Sequence, residues 1–256
     1  MRGLSGKKVL ISGGSSGIGE ATAQRFLEEG SRVHICGLTR DEVDAALDRL
    51  RAFGPVSGQA VDVTDPDAVR NVVASTEAAL GGIDVLANNA GTAWRESFLE
   101  ITPEHWDQMI RVNLHGSFLM AQAVAHGMVK RATGGVVINM ASTNGLGGEV
   151  DYAHYNAAKA GIVLMTMTMA VELGPVNIRV NAICPGAITT PLNKKNPRVI
   201  RSEDDPIANL AKPRIPLGRR GTAAEVAAVY AFLASDDASY ITGAEIKVDG
   251  GQLAVM

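Results

Sequence analysis

The sequence predicts an α/β fold: a Rossmann-type doubly wound parallel sheet of about seven strands flanked by helices. Short runs rich in β-branched residues alternate with longer helical segments along the 256 residues. Several of these runs, such as residues 9–12 and 136–140, are nearly all apolar without alternation, as strands buried on both faces are. Neither a linker, a repeat nor a low-complexity tract interrupts the pattern, so residues 1–256 read as one domain.

The elements follow in order. Residues 9–12 read as a strand and 17–29 as a helix, then 32–36 as a strand and 40–52 as a helix. A strand over 56–61 leads to a helix over 66–80, opened by Thr64 or Asp65 as cap with Pro66 in its first turn. Residues 85–88 form a strand and 103–130 one long helix. A strand at 136–140, a helix at 152–173, a strand at 179–183, a helix at 223–234 and a strand at 245–248 complete the chain. Such alternation implies right-handed crossovers, and open sheets of this kind bind ligands beyond the carboxyl ends of their strands.

Composition excludes several classes. Lys and Arg number 24 against 27 Asp and Glu, a formal net charge of -3, which lacks the basic footprint of a nucleic-acid binder. Hydrophobic residues make up 46% and charged residues 20%, enough for a large core. Cys36 and Cys184 are the only cysteines; they form no disulfide framework and no zinc-spaced cluster, so neither a metal nor an oxidising compartment is expected. The first residues lack an apolar signal core, and the apolar stretch 161–171 is too short to span a bilayer. A cytoplasmic protein with no membrane partner is the expectation.

Glycine is abundant, 28 residues, and the first cluster follows the first strand: Ser12-Gly13-Gly14-Ser15-Ser16-Gly17-Ile18-Gly19. The spacing of Gly13, Gly17 and Gly19 suits a tight turn, a close backbone approach to a pyrophosphate and a helix N-terminus aimed at it. An ordinary glycine-rich turn is the bland alternative; the position between a strand and a helix favours the dinucleotide. No Gly-Lys-Ser/Thr follows, so it is not a P-loop. An acidic residue ending the second strand would meet an adenosine ribose 2′-hydroxyl, but Gly37 stands there. Arg40 is close enough to meet a 2′-phosphate, which tilts the coenzyme toward NADP over NAD; a solvated first helical turn explains it equally well.

Tyr155 and Lys159 are four apart and so share one helix face. A free tyrosine has a pKa near ~10, and a nearby ammonium lowers it toward a useful acid/base range. Ser142, just after a strand, offers a hydroxyl for a carbonyl oxygen. Tyr152 lacks a lysine four residues on.

Taken together, Ser12–Gly19, Asn88-Asn89-Ala90-Gly91, Ser142, Tyr155-x-x-x-Lys159, Pro185-Gly186 and Val248-Asp249-Gly250-Gly251 resemble the short-chain dehydrogenase/reductase family over essentially the whole chain. Ser12 stands where that family usually has threonine. The resemblance implies an NAD(P)-dependent oxidoreductase, with hydride transfer between nicotinamide and a secondary alcohol or ketone carbon. It implies Tyr155 as acid/base, Lys159 lowering its pKa and holding the nicotinamide ribose, Ser142 polarising the carbonyl, and Asn113 supporting a water relay to the lysine. Gly13, Ser15, Ser16, Gly17, Ile18, Gly19, Arg40, Asp62, Val63, Asn89, Ala90, Gly91, Tyr155, Lys159, Pro185, Gly186, Ile188 and Thr190 are the implied coenzyme residues. No metal is implied. A non-catalytic dinucleotide-binding sensor of the same fold is the alternative, against which the intact Ser142, Tyr155 and Lys159 stand. A homotetramer built on the helices 103–130 and 152–173 is also implied.

Two branches of the family compete for the substrate. Ile138-Asn139-Met140, Leu164-Met165-Thr166 and the stretch 185–193 look like the glucose-dehydrogenase branch and a sugar or other polyol. The 3-oxoacyl reductase branch is similar overall, with Lys130 and Arg131 available to a carrier protein's acidic helix; Val171 stands where that branch often has a basic residue. Substrate-lining candidates are Trp94, Ser142, Asn144, Glu149, Tyr152 and Asn193. Residues 191–216 read as a modestly basic lid, or as ordinary solvated surface. His34, His105, His115, His126 and His154 have no matched acid or cysteine partners and read as structural or solvent-facing.

Overall fold

The computed structural model describes residues 1–191 and 215–255. Seven parallel strands form one sheet: β1 (Lys8–Ser12), β2 (Arg32–Gly37), β3 (Val56–Ala60), β4 (Val85–Asn88), β5 (Gly135–Met140), β6 (Ile178–Pro185) and β9 (Glu245–Val248), in the order β3-β2-β1-β4-β5-β6-β9. A separate two-stranded ribbon pairs β7 (Ile188–Thr189) with β8 (Gly221–Thr222), which the sequence did not signal. The strand order reverses between β1 and β4, and the carboxyl ends flanking that point form the natural ligand crevice.

One face of the sheet is covered by α1 (Gly17–Glu28), α2 (Arg40–Leu50) and α7 (Ala223–Ala234). Val9 and Ile11 of β1 pack there with Phe26, Val43, Leu47, Val226 and Tyr230. Leu10, pointing the other way, joins Val69, Val72, Met120 and Val124 under α3 (Pro66–Leu80) and α5 (Gly116–Arg131). Both faces of the inner strands are thus apolar, which is why they show no alternation. The edge strand β3 is only partly buried.

Local signals end the helices where the chain needs them. Asp65 is the cap of α3, accepting from the Asp67 and Ala68 N–H groups, and Gly81 closes it with φ 77°. Thr222 and Glu225 form a capping box at the start of α7. The long helix expected over 103–130 is not continuous. It divides into α4 (Pro103–Ile110), a π-helical turn at Arg111–His115 and α5. Asn113 sits in that turn with its side chain buried, donating to the Thr92 and Met109 carbonyls and accepting from the Thr92 N–H. The extra residue of a π-turn re-aims a side chain without ending the helix, so the apolar pattern does not betray it.

β6 also runs past the expected 179–183, because Pro185 still pairs with Val248 and its carbonyl accepts from the Thr143 hydroxyl. α6 (Ala153–Leu173) is longer than its apolar stretch 161–171 suggests; with its 3-10 extension to Val176 it is long and apolar enough to cross a membrane by length and composition. Here it packs against α4, β5 and β6 and buries Lys159.

A row of polar side chains crosses the middle of the sheet. Ser12, Asn88 and Asn139 are register partners on β1, β4 and β5. The Ser12 hydroxyl donates to Asn88 Oδ1, Asn88 Nδ2 donates to Asn139 Oδ1 and to the Ser117 carbonyl, and Asn139 Nδ2 donates to the Thr166 hydroxyl.

Tyr230 lies at 0% exposure between α7 and the sheet, and its hydroxyl has no hydrogen-bond partner among the described residues. An unsatisfied buried hydroxyl costs about 1 kcal/mol or more. Tyr230→Phe should therefore raise the melting temperature by about 2–4 °C. A lower melting temperature on calorimetry would mean the hydroxyl is engaged.

Candidate active site

The glycine loop follows β1 at the reversal of strand order. Gly13 adopts φ +65°, and a Cβ there would lie 2.9 Å from the Ala90 Cα; one on Gly19 would lie 2.0 Å from the Gly13 carbonyl oxygen. Neither position has room for a side chain. Ser15 is buried and Ile18 packs on the core. Ser16 is the N-cap of α1 in extended conformation but makes no side-chain cap bond, so the first-turn N–H groups of α1 are not capped by it. Uncapped donors at a helix N-terminus favour an anion. Thr190 and Pro191 face Gly17 across a gap, each 3.6 Å from where its Cβ would be. Ile188 is buried beneath them. The expected dinucleotide residues thus form a cradle that side chains would fill, and the fit to a pyrophosphate is good.

The rest of the expected coenzyme rim is present with differences. A Cβ on Gly37 would meet the Ser15 hydroxyl at 2.5 Å, so the strand end is closed against the loop. Arg40 is exposed and its guanidinium pairs with Asp44 at 2.7 Å. Asp62 is exposed and accepts from the Thr64 N–H, while Val63 is buried against Gly116. Asn89 donates to the Gly13 carbonyl, and the Asn89 and Ala90 N–H groups both donate to the Ser12 hydroxyl. Gly186 donates to the Val248 carbonyl, with Asp249 close behind it.

Asn113, Ser142, Tyr155 and Lys159 converge beyond β4, β5 and β6. A Cβ on Gly91 would lie 2.7 Å from Asn113 Oδ1 and 3.5 Å from Lys159 Nζ, so both side chains reach the space over that exposed glycine. Lys159 Nζ is 5.6 Å from the Tyr155 ring centre and donates to the Met140 carbonyl at 2.9 Å. Ser142 accepts from the Asn144 N–H and lies beside the Tyr155 phenol. Burial pushes the Tyr155 phenol well above its ordinary value, only partly offset by the hydrogen bond with Ser142. Burial also lowers Lys159 to about 8. In the protein alone desolvation dominates the Tyr155 shift, and the Lys159 ammonium donates to the Met140 carbonyl.

Of the substrate-lining candidates, Asn144 is buried and pairs its amide with that of Asn156 at 2.8 Å. Tyr152 stacks beside Tyr155, ring centres 5.5 Å apart, and burial raises its pKa. Glu149 is not a free lining group: it accepts from Arg95 at 2.6 Å, and Arg95 lies 4.7 Å over the Tyr152 ring. Trp94 is half-buried and donates to Glu96 at 3.2 Å. Asn193 and most of the segment 191–216 lie outside the described residues. Sequence reasoning missed Arg95, Glu96 and Arg220, and dismissed His154. Arg220 donates to the Ile188 carbonyl and lies near enough to Tyr152 to act on its charge. The signal for His154 was its position in the first turn of α6, where backbone donors need acceptors.

Among the other groups set aside, His34 bonds Ser57 and is lowered to about 4 by burial. Burial raises Cys184 to about 12, which leaves it an inert thiol. Arg131 is tied to Glu77 and to the Ile83 carbonyl, so it is not a free cation for a carrier protein.

Known proteins resemble this chain over nearly its whole length. The profile of a family described as enoyl-(acyl carrier protein) reductase matches residues 13–252. The 3-oxoacyl-[acyl-carrier-protein] reductase of Thermotoga maritima is 41% identical over 97% of this chain and 98% of its own length. The meso-2,3-butanediol dehydrogenase of Serratia marcescens is 39% identical over 97% of this chain and 95% of its own. A crystal structure of a short-chain type dehydrogenase/reductase from Mycobacterium marinum superposes with a TM-score of 0.86 at 36% identity, covering 97% of this chain and 96% of that one. With matches that extend over nearly its full length, the chain belongs to the short-chain dehydrogenase/reductase family of oxidoreductases.

Proposed function

We propose that this protein interconverts a secondary alcohol and a ketone, with Tyr155 as the acid/base. The observation that carries the reading is the convergence of Ser142, Tyr155, Lys159 and Asn113 around Gly91, beside the glycine cradle. When bound, a nicotinamide dinucleotide supplies or takes up the hydride. Gly13, Ser15, Ser16, Gly17, Ile18 and Gly19 would hold its pyrophosphate at the α1 N-terminus, and Ile188 and Thr190 would contact its nicotinamide carboxamide and phosphates. Asp62 with Val63 would meet the adenine, and Asn89 through Gly91, Pro185 and Gly186 would line the coenzyme. Lys159 would hold the nicotinamide ribose hydroxyls, and Asn113 would support a water relay to it.

The chain's own chemistry is proton transfer and orientation. Ser142 Oγ donates to the substrate oxygen and holds it against the Tyr155 hydroxyl. In reduction Tyr155 passes its proton to that oxygen; in oxidation it takes one. A phenol raised by burial holds its proton until that oxygen needs it. Lys159, at about 8, remains mostly charged at neutral pH and faces the phenolate that forms.

A small, hydroxyl-rich substrate, a sugar or another polyol, is the reading we favour. It is supported by the polar mouth of Asn144, Tyr152 and the Arg95–Glu149 pair. A 3-oxoacyl thioester is the second reading, favoured by the Thermotoga maritima relative's name and opposed by the anchored Arg131. The non-catalytic sensor is disfavoured by the same four convergent side chains. The proposed protein is a single-domain cytoplasmic homotetramer. Leu164 and Val171 on α6 and Phe118 on α5 stay exposed, as apolar groups awaiting a second copy would.

Tyr155→Phe should lower kcat by about a thousandfold while dinucleotide binding, followed by fluorescence, stays within a factor of about two. Retained turnover across a panel of diols, sugars and 3-oxoacyl thioesters with both coenzymes would remove Tyr155 from the mechanism. We also propose a preference for NADP, supported by Gly37 in place of an acid and by Arg40 beside it. Arg40→Ala should raise the KM for NADP by about tenfold, or ~1.4 kcal/mol, and leave that for NAD unchanged. Equal KM changes for the two coenzymes would assign Arg40 to its Asp44 pair alone.

A further inference from the structure

The first turn of α6 carries Tyr155 at its third residue, and its N-cap, Tyr152, makes no side-chain cap bond. The Tyr155 N–H instead donates to His154 Nδ1 at 3.0 Å. An acceptor Nδ1 places the ring proton on Nε2. That atom is fully buried without a hydrogen bond and faces Glu96 Oε2 at 3.8 Å. Trp94 stands edge-on to the His154 ring at 5.3 Å and 90°. Glu96 is itself fixed: it accepts from Trp94 Nε1 at 3.2 Å, it bonds His105 Nδ1 at 2.8 Å, and its N–H donates to the Asp151 carbonyl. Burial pushes the Glu96 carboxyl up, but the hydrogen bonds from His105 and Trp94 outweigh it and leave it lowered.

We propose that His154 is a positioning residue for Tyr155. Its ring takes up the backbone donor of the tyrosine and packs against Trp94, with Glu96 facing it, on the loop after β4. This rests on the reading of Tyr155 as the acid/base. A neutral ring is required, because a second ring proton would put a donor against the Tyr155 N–H. Burial holds His154 below its ordinary pKa and His105 adds to that, while Glu96 and the Tyr152 carbonyl pull the other way. Small displacements of a reacting group cost large factors in rate, so the tether acts on kcat and not on coenzyme affinity.

Two substitutions separate hydrogen bonding from packing. Asn carries an acceptor one bond beyond Cγ, where Nδ1 sits; Phe fills the ring's place against Trp94 without any acceptor. His154→Asn is expected to retain most of kcat, and His154→Phe to lose about tenfold or more, with KM for the coenzyme unchanged in both. Equal kcat in the Phe variant and the parent, or equal loss in the two variants, overturns the proposal. Should His154→Phe not fold, Glu96→Ala releases Trp94, on which the ring packs, from the loop side: a fall in kcat at constant coenzyme KM supports the proposal, and an unchanged kcat overturns it. If Tyr155→Phe abolishes turnover while His154→Phe is fully active, positioning alone fails. If Tyr155→Phe stays active, the acid/base reading itself fails.

Discussion

The buried hydrogen-bond row from Ser12 through Asn88 and Asn139 to Thr166 is the constraint on which the site depends. Asn88 and Asn139 are 1% and 0% exposed, so each amide must find partners inside the sheet or cost about 1–3 kcal/mol. Their pairing requires β1, β4 and β5 to be in the observed register; a one-residue slip would turn every amide to the opposite face. The Ser12 hydroxyl spends all three of its hydrogen bonds here: it donates to Asn88 and accepts from the Asn89 and Ala90 N–H groups. That last pair bends the chain after β4 onto the glycine loop. A threonine would carry the same hydroxyl, so the serine at this position leaves the chemistry intact.

A second constraint opposes the first in character. The row satisfies its polar groups completely, whereas Tyr155 and Lys159 are held in surroundings that disfavour their charges. Burial raises the phenol and lowers the ammonium, so each moves away from its ionised form. The proposed chemistry uses this tension. A phenol that resists ionisation gives up its proton only when the acceptor is aligned with it, and Ser142 is the group beside it that provides alignment. Lys159 keeps enough of its charge at neutral pH to meet the phenolate, while its bond to the Met140 carbonyl fixes where that charge sits.

Strands β1, β2, β4 and β5 and helices α1 and α3 were legible because burial on both faces, or a cap with Pro66, leaves a pattern in the chain. The glycine loop and the Tyr155–Lys159 spacing were legible for the same reason: each is local, within one turn or one helix. What escaped was non-local or broke no pattern. The π-turn at Arg111–His115 keeps the apolar residues flowing through it, so Asn113 looked like part of an ordinary helix. Arg95 meets Glu149 across 54 residues, and no periodicity links a loop to a loop. The desolvation of the Tyr155 phenol is a property of the assembled site and leaves no mark in the spacing of Tyr155 and Lys159.

The two sides of the site are built on different physics. On the proposed coenzyme side the cradle is built from backbone: glycines that leave no room for a Cβ, and helix donors without a side-chain cap. Such contacts require small residues at fixed places and tolerate little change. On the proposed substrate side the wall is a loop after β4 cross-linked by side chains to the segment before α6, Arg95 to Glu149, and to α4, Glu96 to His105, with Tyr152 and Trp94 packed between. Exchanging those side chains reshapes the mouth without touching the register of the sheet. The loop also meets the start of the helix that carries Tyr155, through the Glu96 N–H on the Asp151 carbonyl and Trp94 against the His154 ring, so in the proposed mechanism a change in the loop bears on both the fit of the substrate and the aim of the acid/base.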